Sequence, residues 1–348
     1  MSPEMSQSNA HARRALITGG AGFIGSHLTE HLLARGDRVT VIDNLSTGRT
    51  GNLPEHPHLR FIEADLGEAL AALGPGEVFD EIYHLAAAVG VGLVMKDPIS
   101  AVRTNIEQTI ALLDFAAKRT APGATAIGIP TLIASSSEVY GKSAKSPYSE
   151  TDDVTYGPTS VSRWCYAYSK AIDEYLALSY GRQRGLGVVV ARFFNTVGPR
   201  QVGDYGMVLP RFVGAALAGK PLRVHGEGKQ SRCFCDISDV VSTLPKLLDS
   251  QACRGSVFNI GSDRSISIRE LAELVIRLTA SRSGIEYVPY SEAYPPGFED
   301  LADRRPDLKK IREAIGFSPR KSLEQTIRDV AGWLSGSAAG GMREGSKT

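Results

Sequence analysis

The sequence predicts an α/β protein: a Rossmann-type, doubly wound parallel sheet carrying a smaller α/β substrate-binding lobe. Three observations carry this. Short β-branched runs alternate with helical patterns through residues 13–193. Those runs are apolar almost throughout, as strands are when helices cover both faces of a parallel sheet. A glycine-rich turn joins the first run to the first helix, which is where such sheets bind dinucleotides.

Taken in order, Ala15–Thr18 reads as the first strand and 24–35 as its helix. The runs Val39–Ile42, Arg60–Ile62 and Glu81–Leu85 follow as strands. A helix near Ser100–Lys118 leads to a strand at Thr131–Ala134, and a helix near Tyr166–Arg184 leads to one at Gly187–Arg192. Repeated βα units of this kind build an open, doubly wound sheet. After residue 193 Gly, Pro and Arg become frequent and the elements shorten. This assigns 194–235 and about 263–334 to the smaller lobe, and returns about 236–262 to the large one. The polar stretch 1–12 and the Gly/Ser-rich stretch 335–348 read as mobile tails.

Composition narrows the function. Lys and Arg number 39 against 38 Asp and Glu, so no global field draws the chain to nucleic acid or an anionic membrane. No apolar run approaches the roughly 20 residues that span a bilayer. Met1–Ala10 lacks the basic and apolar regions of a signal peptide, which points to the cytoplasm. The four cysteines, Cys165, Cys233, Cys235 and Cys253, have no metal-site spacing, and no metal is expected.

The chemistry-bearing motifs begin with Gly19, Gly22 and Gly25. The first permits a tight turn, the second admits a pyrophosphate to the backbone, and the third lets helix pack on strand. Asp43, 18 residues beyond Gly25, stands where a carboxylate accepts both ribose hydroxyls and repels a 2′-phosphate, favouring NAD over NADP. The alternative for Asp43 is a turn or capping residue. Asp65 is placed beside the adenine on the same logic, or is an ordinary loop acid. Tyr166 and Lys170 lie one helical turn apart on one face. An ammonium there lowers a phenol's pKa toward working pH and makes it a base; the alternative is an amphipathic pair. Tyr168 falls on the wrong face and is assigned to packing, and His84 to packing or capping beneath the cofactor. The run Ser135–Gly141 follows a core strand and offers a hydroxyll bridge to Tyr166, assigned to Ser137, together with one carboxylate, Glu138.

In order, Thr18–Gly25, His84–Ala87, Ser135–Gly141, Tyr166–Lys170 and Arg192–Asn195 resemble the extended short-chain dehydrogenase/reductases, over about residues 13–332. That group holds nucleotide-sugar epimerases, dehydratases and decarboxylases. The resemblance implies NAD reduced and reoxidised within each turnover, and a homodimer packed through a four-helix bundle. It extends the cofactor site to Phe23, Ile24, Asn44, Ser46, Gly48, Leu66, Leu85, Ala86, Ala87, Asn105, Ser135 and Val197. Arg163, three residues before Tyr166, Ser137–Gly141 and Arg232–Phe234 look like the UDP-glucuronate decarboxylases. The Asp-Glu pair of the dehydratases is replaced here by Ser137-Glu138, which disfavours dehydration.

The resemblance implies oxidation at C4 by Tyr166, loss of CO2 from the β-keto acid, and return of hydride to give UDP-xylose. Glu138 then positions or repels the carboxylate or relays a proton. Arg232 stabilises the enolate or supplies a proton to C5; its alternative is to hold the diphosphate. Arg163 either serves the substrate or salt-bridges a nearby loop. Arg304 is expected to clamp the diphosphate and Asn195 to bond a phosphate, while Leu209 and Val224 line the uracil pocket or belong to the core. A nucleotide-sugar 4-epimerase is the competing reading, favoured by the small residues of Ala86–Gly92, and a catalytically idle nucleotide-sugar sensor is a third.

Overall fold

The computed structural model describes residues 12–74, 76–88, 97–119, 128–203, 207–293 and 303–344. Residues 1–11 of the expected N-terminal tail, and 89–92 of the small-residue loop, lie outside the described residues. The first half builds β1 (Arg14–Thr18), α1 (Phe23–Ala34), β2 (Arg38–Asp43), β3 (Leu59–Glu63), α2 (Leu66–Ala72) and β4 (Glu81–His84). It continues with α3 (Pro98–Lys118), β5 (Thr131–Ser136), α4 (Cys165–Arg184) and β6 (Val188–Phe193). These agree with the sequence reading to within a few residues at the ends. Helix α3 starts two residues early because Asp97 caps it, its carboxylate accepting from Ser100 N at 3.0 Å.

A parallel seven-stranded sheet runs in the order β11-β6-β5-β4-β1-β2-β3, with β11 (Ser256–Ile260) beside β6. Strand β1 therefore has β2 on one side and β4 on the other. The crevice beyond the carboxyl ends of β1 and β4 is the switch point where open α/β sheets take ligands. Leu28 and Leu32 of α1 pack on one face with Val240 and Leu244; Leu112 and Phe115 of α3 and Ala177 of α4 pack on the other.

Short strands β7 (Thr196–Val197), β8 (Leu222–His225), β9 (Ser231–Cys233), β10 (Cys235–Asp236), β12 (Ser265–Ser267) and β13 (Ile285–Val288) pair as β7–β10, β8–β13 and β9–β12. A separate core joins Leu209 and Phe212, Val224, Leu271 and Val275, and Ile327 and Val330. The last helix runs Leu323–Glu344, so the stretch 335–344, expected within a mobile tail, is helical instead. It extends a helix already formed from Leu323, and adding residues to a formed helix is easier than nucleating one.

Candidate active site

One cavity of about 1030 Å³ runs from the glycine-rich turn across the carboxyl ends of the strands into the smaller lobe. Gly19, Gly22, Phe23, Ile24, Gly25, Asp43, Asn44, Ser46, Leu66, Leu85, Ala86, Ala87, Ser135 and Val197, all expected at the cofactor, line it. Gly19 has φ +69°, and a Cβ there would stand 2.7 Å from the backbone nitrogen of Ala86. A Cβ on Gly25 would strike the Gly19 carbonyl. Turn and helix thus approach as closely as the backbone allows, leaving a smooth cradle for a pyrophosphate. The Asp43 carboxylate accepts from Ala21 N at 2.9 Å and Leu45 N at 2.8 Å, which aims it at the rim of that cradle. The donor set and cradle therefore fit an NAD molecule.

Three expected cofactor residues stand behind the lining. Gly48 packs against Ala21 of the turn. Asp65 accepts from Asn44 Nδ2 at 2.8 Å and so orients Asn44, while Ala64 and Leu66 line the cavity on either side of it. Asn105 is buried, accepting from Ala88 N at 2.8 Å and donating to Ser169 Oγ at 3.2 Å; it ties the loop after β4 to α4. Asn105 is turned inward because its amide oxygen satisfies a backbone N–H that the loop leaves over.

Tyr166 and Lys170 both reach the cavity from the first turns of α4. Burial, then the Glu138 carboxylate, raises the phenol's pKa above its ordinary value; a hydrogen bond from Ser136 acts the other way. The hydroxyl that meets Tyr166 is thus Ser136, one residue before the Ser137 expected from sequence. Ser136 ends β5, where its Oγ also accepts from Glu138 N at 3.2 Å. Ser137 starts the 3-10 turn that follows and is rotated away, fully buried against Arg304. Lys170 is 2% exposed and its ammonium bonds Asp173 Oδ2 at 3.0 Å. Asp173 was not singled out in the sequence, though a carboxylate three residues after a helical lysine is a readable signal. Ser135 donates to Glu174 at 2.5 Å, and Glu174 holds Arg192 through two contacts of 2.9 and 2.7 Å. Tyr168 packs on Tyr156 and donates to the Gly157 carbonyl. His84 is buried between Thr18 and Thr109, and burial first, then Lys170, holds its pKa down near about 3.

The arginines converge on Glu138. Arg304 Nη1 lies 2.6 Å from one carboxylate oxygen and Arg163 Nη1 2.6 Å from the other. Burial pushes this carboxyl up, but Arg304, Arg163 and the more remote Arg232 together draw it down to about 2. Arg304, expected on the diphosphate, lines the cavity and grips Glu138 and Ser137. It is carried there by a strap, residues 303–307, in which Asp303 accepts from Ser146 and Ser231 at 2.7 Å each and Arg305 O accepts from Tyr148 N at 2.8 Å. Arg232 lines the cavity and donates to the Ser231 carbonyl at 2.8 Å. Asn195 and Leu209 line it too, Asn195 Nδ2 bonding the Cys233 carbonyl at 3.0 Å. Val224 points instead into the core of the smaller lobe, because alternate residues of β8 face inward. Its neighbours Arg223 and His225 line the cavity in its place, with Arg200 and Trp333, none of which the sequence marked. Among the described residues no group of three or more His, Cys, Asp or Glu side chains gathers as for a metal, and no helix is long and apolar enough to cross a membrane.

A family model described as the NAD dependent epimerase/dehydratase family matches residues 15–261. A UDP-N-acetyl-alpha-D-glucosaminuronate decarboxylase from Bacillus cytotoxicus is 41% identical over 330 residues, covering 92% of this chain and 98% of that protein. UDP-glucuronic acid decarboxylase 2 of Arabidopsis thaliana is 36% identical over 336 residues, covering 96% of this chain and 71% of that protein. Among solved structures, an epimerase from Methanothermobacter thermautotrophicus superposes with a TM-score of 0.85 at 25% identity, covering 94% of each chain.

Proposed function

The chain belongs to the NAD-dependent epimerase/dehydratase family, and from that membership we propose that it decarboxylates a UDP-linked uronic acid, converting UDP-glucuronate to UDP-xylose through a 4-keto intermediate. The observation that carries this reading is the buried carboxylate Glu138 set among Arg163, Arg304 and Arg232. Arg163 and Arg304 flank that carboxylate and, with Arg232, line the cavity, guanidinium groups suited to an acidic nucleotide sugar. Relatives at 36% and 41% identity bear decarboxylase names, which supports it further and weakens the 4-epimerase alternative.

NAD, when bound, supplies the acceptor for the C4 hydrogen as hydride and later gives it back. Gly19, Gly22 and Gly25 would hold its pyrophosphate, Asp43 its ribose, and Lys170 the ribose at the reacting end. Tyr166, bonded to Ser136, takes the proton of the C4 hydroxyl. The resulting 4-ketone makes the uronate a β-keto acid; its C5–carboxyl bond breaks, CO2 leaves, and the electron pair enters an enolate. Glu138, held anionic at about 2, is no proton donor at neutral pH. Its part is to fix Arg163 and Arg304 and to repel the departing carboxylate, so the proton that reaches C5 comes from water. Tyr166 finally returns its proton to the C4 oxygen. Ser137 in place of a carboxylic acid leaves a dehydration without its acid.

We read the molecule as two lobes, 13–193 with about 236–262 for the cofactor and 194–235 with about 263–334 for the nucleotide sugar. A homodimer is supported by Ile99, Ile110, Ile172 and Tyr175, large apolar side chains exposed on the paired helices α3 and α4. The four free thiols and the lack of a spanning helix among the described residues agree with a cytoplasmic location. Mass spectrometry of UDP-glucuronate and its 2-acetamido analogue after incubation with the protein tests the reading. Loss of one CO2 is expected; an unchanged mass with inverted C4 stereochemistry would replace it with the epimerase.

A further inference from the structure

The ion pair between Lys170 and Asp173 is the least expected feature of this site. Both side chains are almost sealed from water, at 2% and 0% exposure, and the nitrogen and Oδ2 stand 3.0 Å apart. A lysine that served only to stabilise a phenolate would be weakened by a carboxylate that cancels its charge. Burying such a carboxylate is also unfavourable unless it is paired. The remainder of Asp173's surroundings shows that it is built in. Burial pushes the Asp173 carboxyl up, Lys170 and then Thr109 favour its charged form, and Oδ1 closes no hydrogen bond of its own. Thr109 also bonds His84 Nε2 at 3.2 Å, and His84 Nδ1 meets Thr18 Oγ1 at 2.8 Å. Thr18 Oγ1 also accepts from Ala86 N at 3.2 Å. A chain of polar contacts thus runs from the loop against the glycine-rich turn to the Lys170–Asp173 pair.

We propose that Asp173 is a positioning residue for proton transfer at Tyr166: it pins the Lys170 ammonium and cancels its charge, so that the oxidised cofactor's ring supplies the positive charge that makes the phenol a base. The proposal rests on the reading above, in which Tyr166 must give up its proton in one half of the cycle and return it in the other. With Lys170 neutralised, the phenol keeps its proton against a reduced cofactor and yields it against an oxidised one. The charged and polar groups facing this couple are Glu138 and Ser136 after β5 and at its end, Arg304 on the strap, His84 on β4, Thr109 on α3, and Glu174 on α4 itself. Asp173 is the carboxylate among them that contacts Lys170.

Asp173→Asn in the full chain tests this. Removing a buried negative charge disfavours a cationic ring relative to a neutral one, so the ratio of the dissociation constants for NAD+ and NADH should rise by about tenfold. The acid limb of kcat/KM should move to lower pH, because a couple stripped of a neighbouring anion loses its proton more readily. Parallel weakening of both cofactor forms with an unmoved acid limb is what a merely structural residue gives, and that result overturns the proposal. Should Asp173→Asn fail to fold, Asp173→Ser, which leaves room for a water, carries the same two predictions. A wild-type protein inert toward UDP-uronates sinks the decarboxylase reading, whereas the affinity ratio still decides the role of Asp173.

Discussion

Replacing Glu138 with Gln removes one charge from the arginine cluster and leaves shape nearly unchanged. The carboxyl is depressed from 4.5 to about 2 and is 8% exposed, so little solvent screening applies. Such a shift corresponds to about 3 kcal/mol of folding stability at neutral pH. The sign follows from the depression: the contribution is complete above the unfolded value of 4.5 and is lost as pH falls toward about 2. Linkage leaves about 2 kcal/mol of it at a pH of about 3.5. Urea denaturation of wild type and Glu138→Gln should therefore differ by about 3 kcal/mol near neutrality and by about 1 kcal/mol less at a pH of about 3.5. Activity should fall by about a hundredfold or more, because Arg163 and Arg304 lose the group that orients them. A stability gap that stays constant across that pH range would show that Glu138 is not held charged by the arginines. Full activity of the variant would remove it from the mechanism.

Tyr166→Phe should retain UDP and NAD binding, measured by calorimetry, while turnover falls by about 10² to 10⁴. Ser136→Ala should lower kcat by about tenfold or more, and Ser137→Ala should act chiefly on Arg304; equal effects would place the bridging hydroxyl elsewhere. Gly25→Ala drives a methyl into the Gly19 carbonyl, so NAD affinity and melting temperature should both fall, read by cofactor titration and by thermal denaturation.

The parallel sheet, the glycine-rich turn and the Tyr166–Lys170 pair were legible because each depends on local spacing: apolar runs, glycines where backbones touch, and a helical turn between two side chains. The error at Ser136 and Ser137 has a local cause of another kind. Three successive serines cross from β5 into a 3-10 turn, and the face each presents depends on the residue at which the strand ends. Arg304 was found as a site residue, but its contacts with Glu138 and Ser137 were not read. Its direction is set by Asp303, Ser146, Ser231 and Tyr148, which are distant in sequence and meet only in the fold. Val224 was misplaced because β8 is too short for its alternation to say which face is the core. Asp173 stands at a spacing from Lys170 that the sequence shows, but the burial of the pair does not show there.

The most direct measurement follows UDP-glucuronate carrying deuterium at C4. If Tyr166 and Lys170 serve an oxidation reversed within one turnover, the product lacks one carbon, keeps the deuterium at C4 and, in heavy water, gains a solvent deuteron at C5. Product that retains its carboxylate, or that has exchanged the C4 label with solvent, would contradict the account.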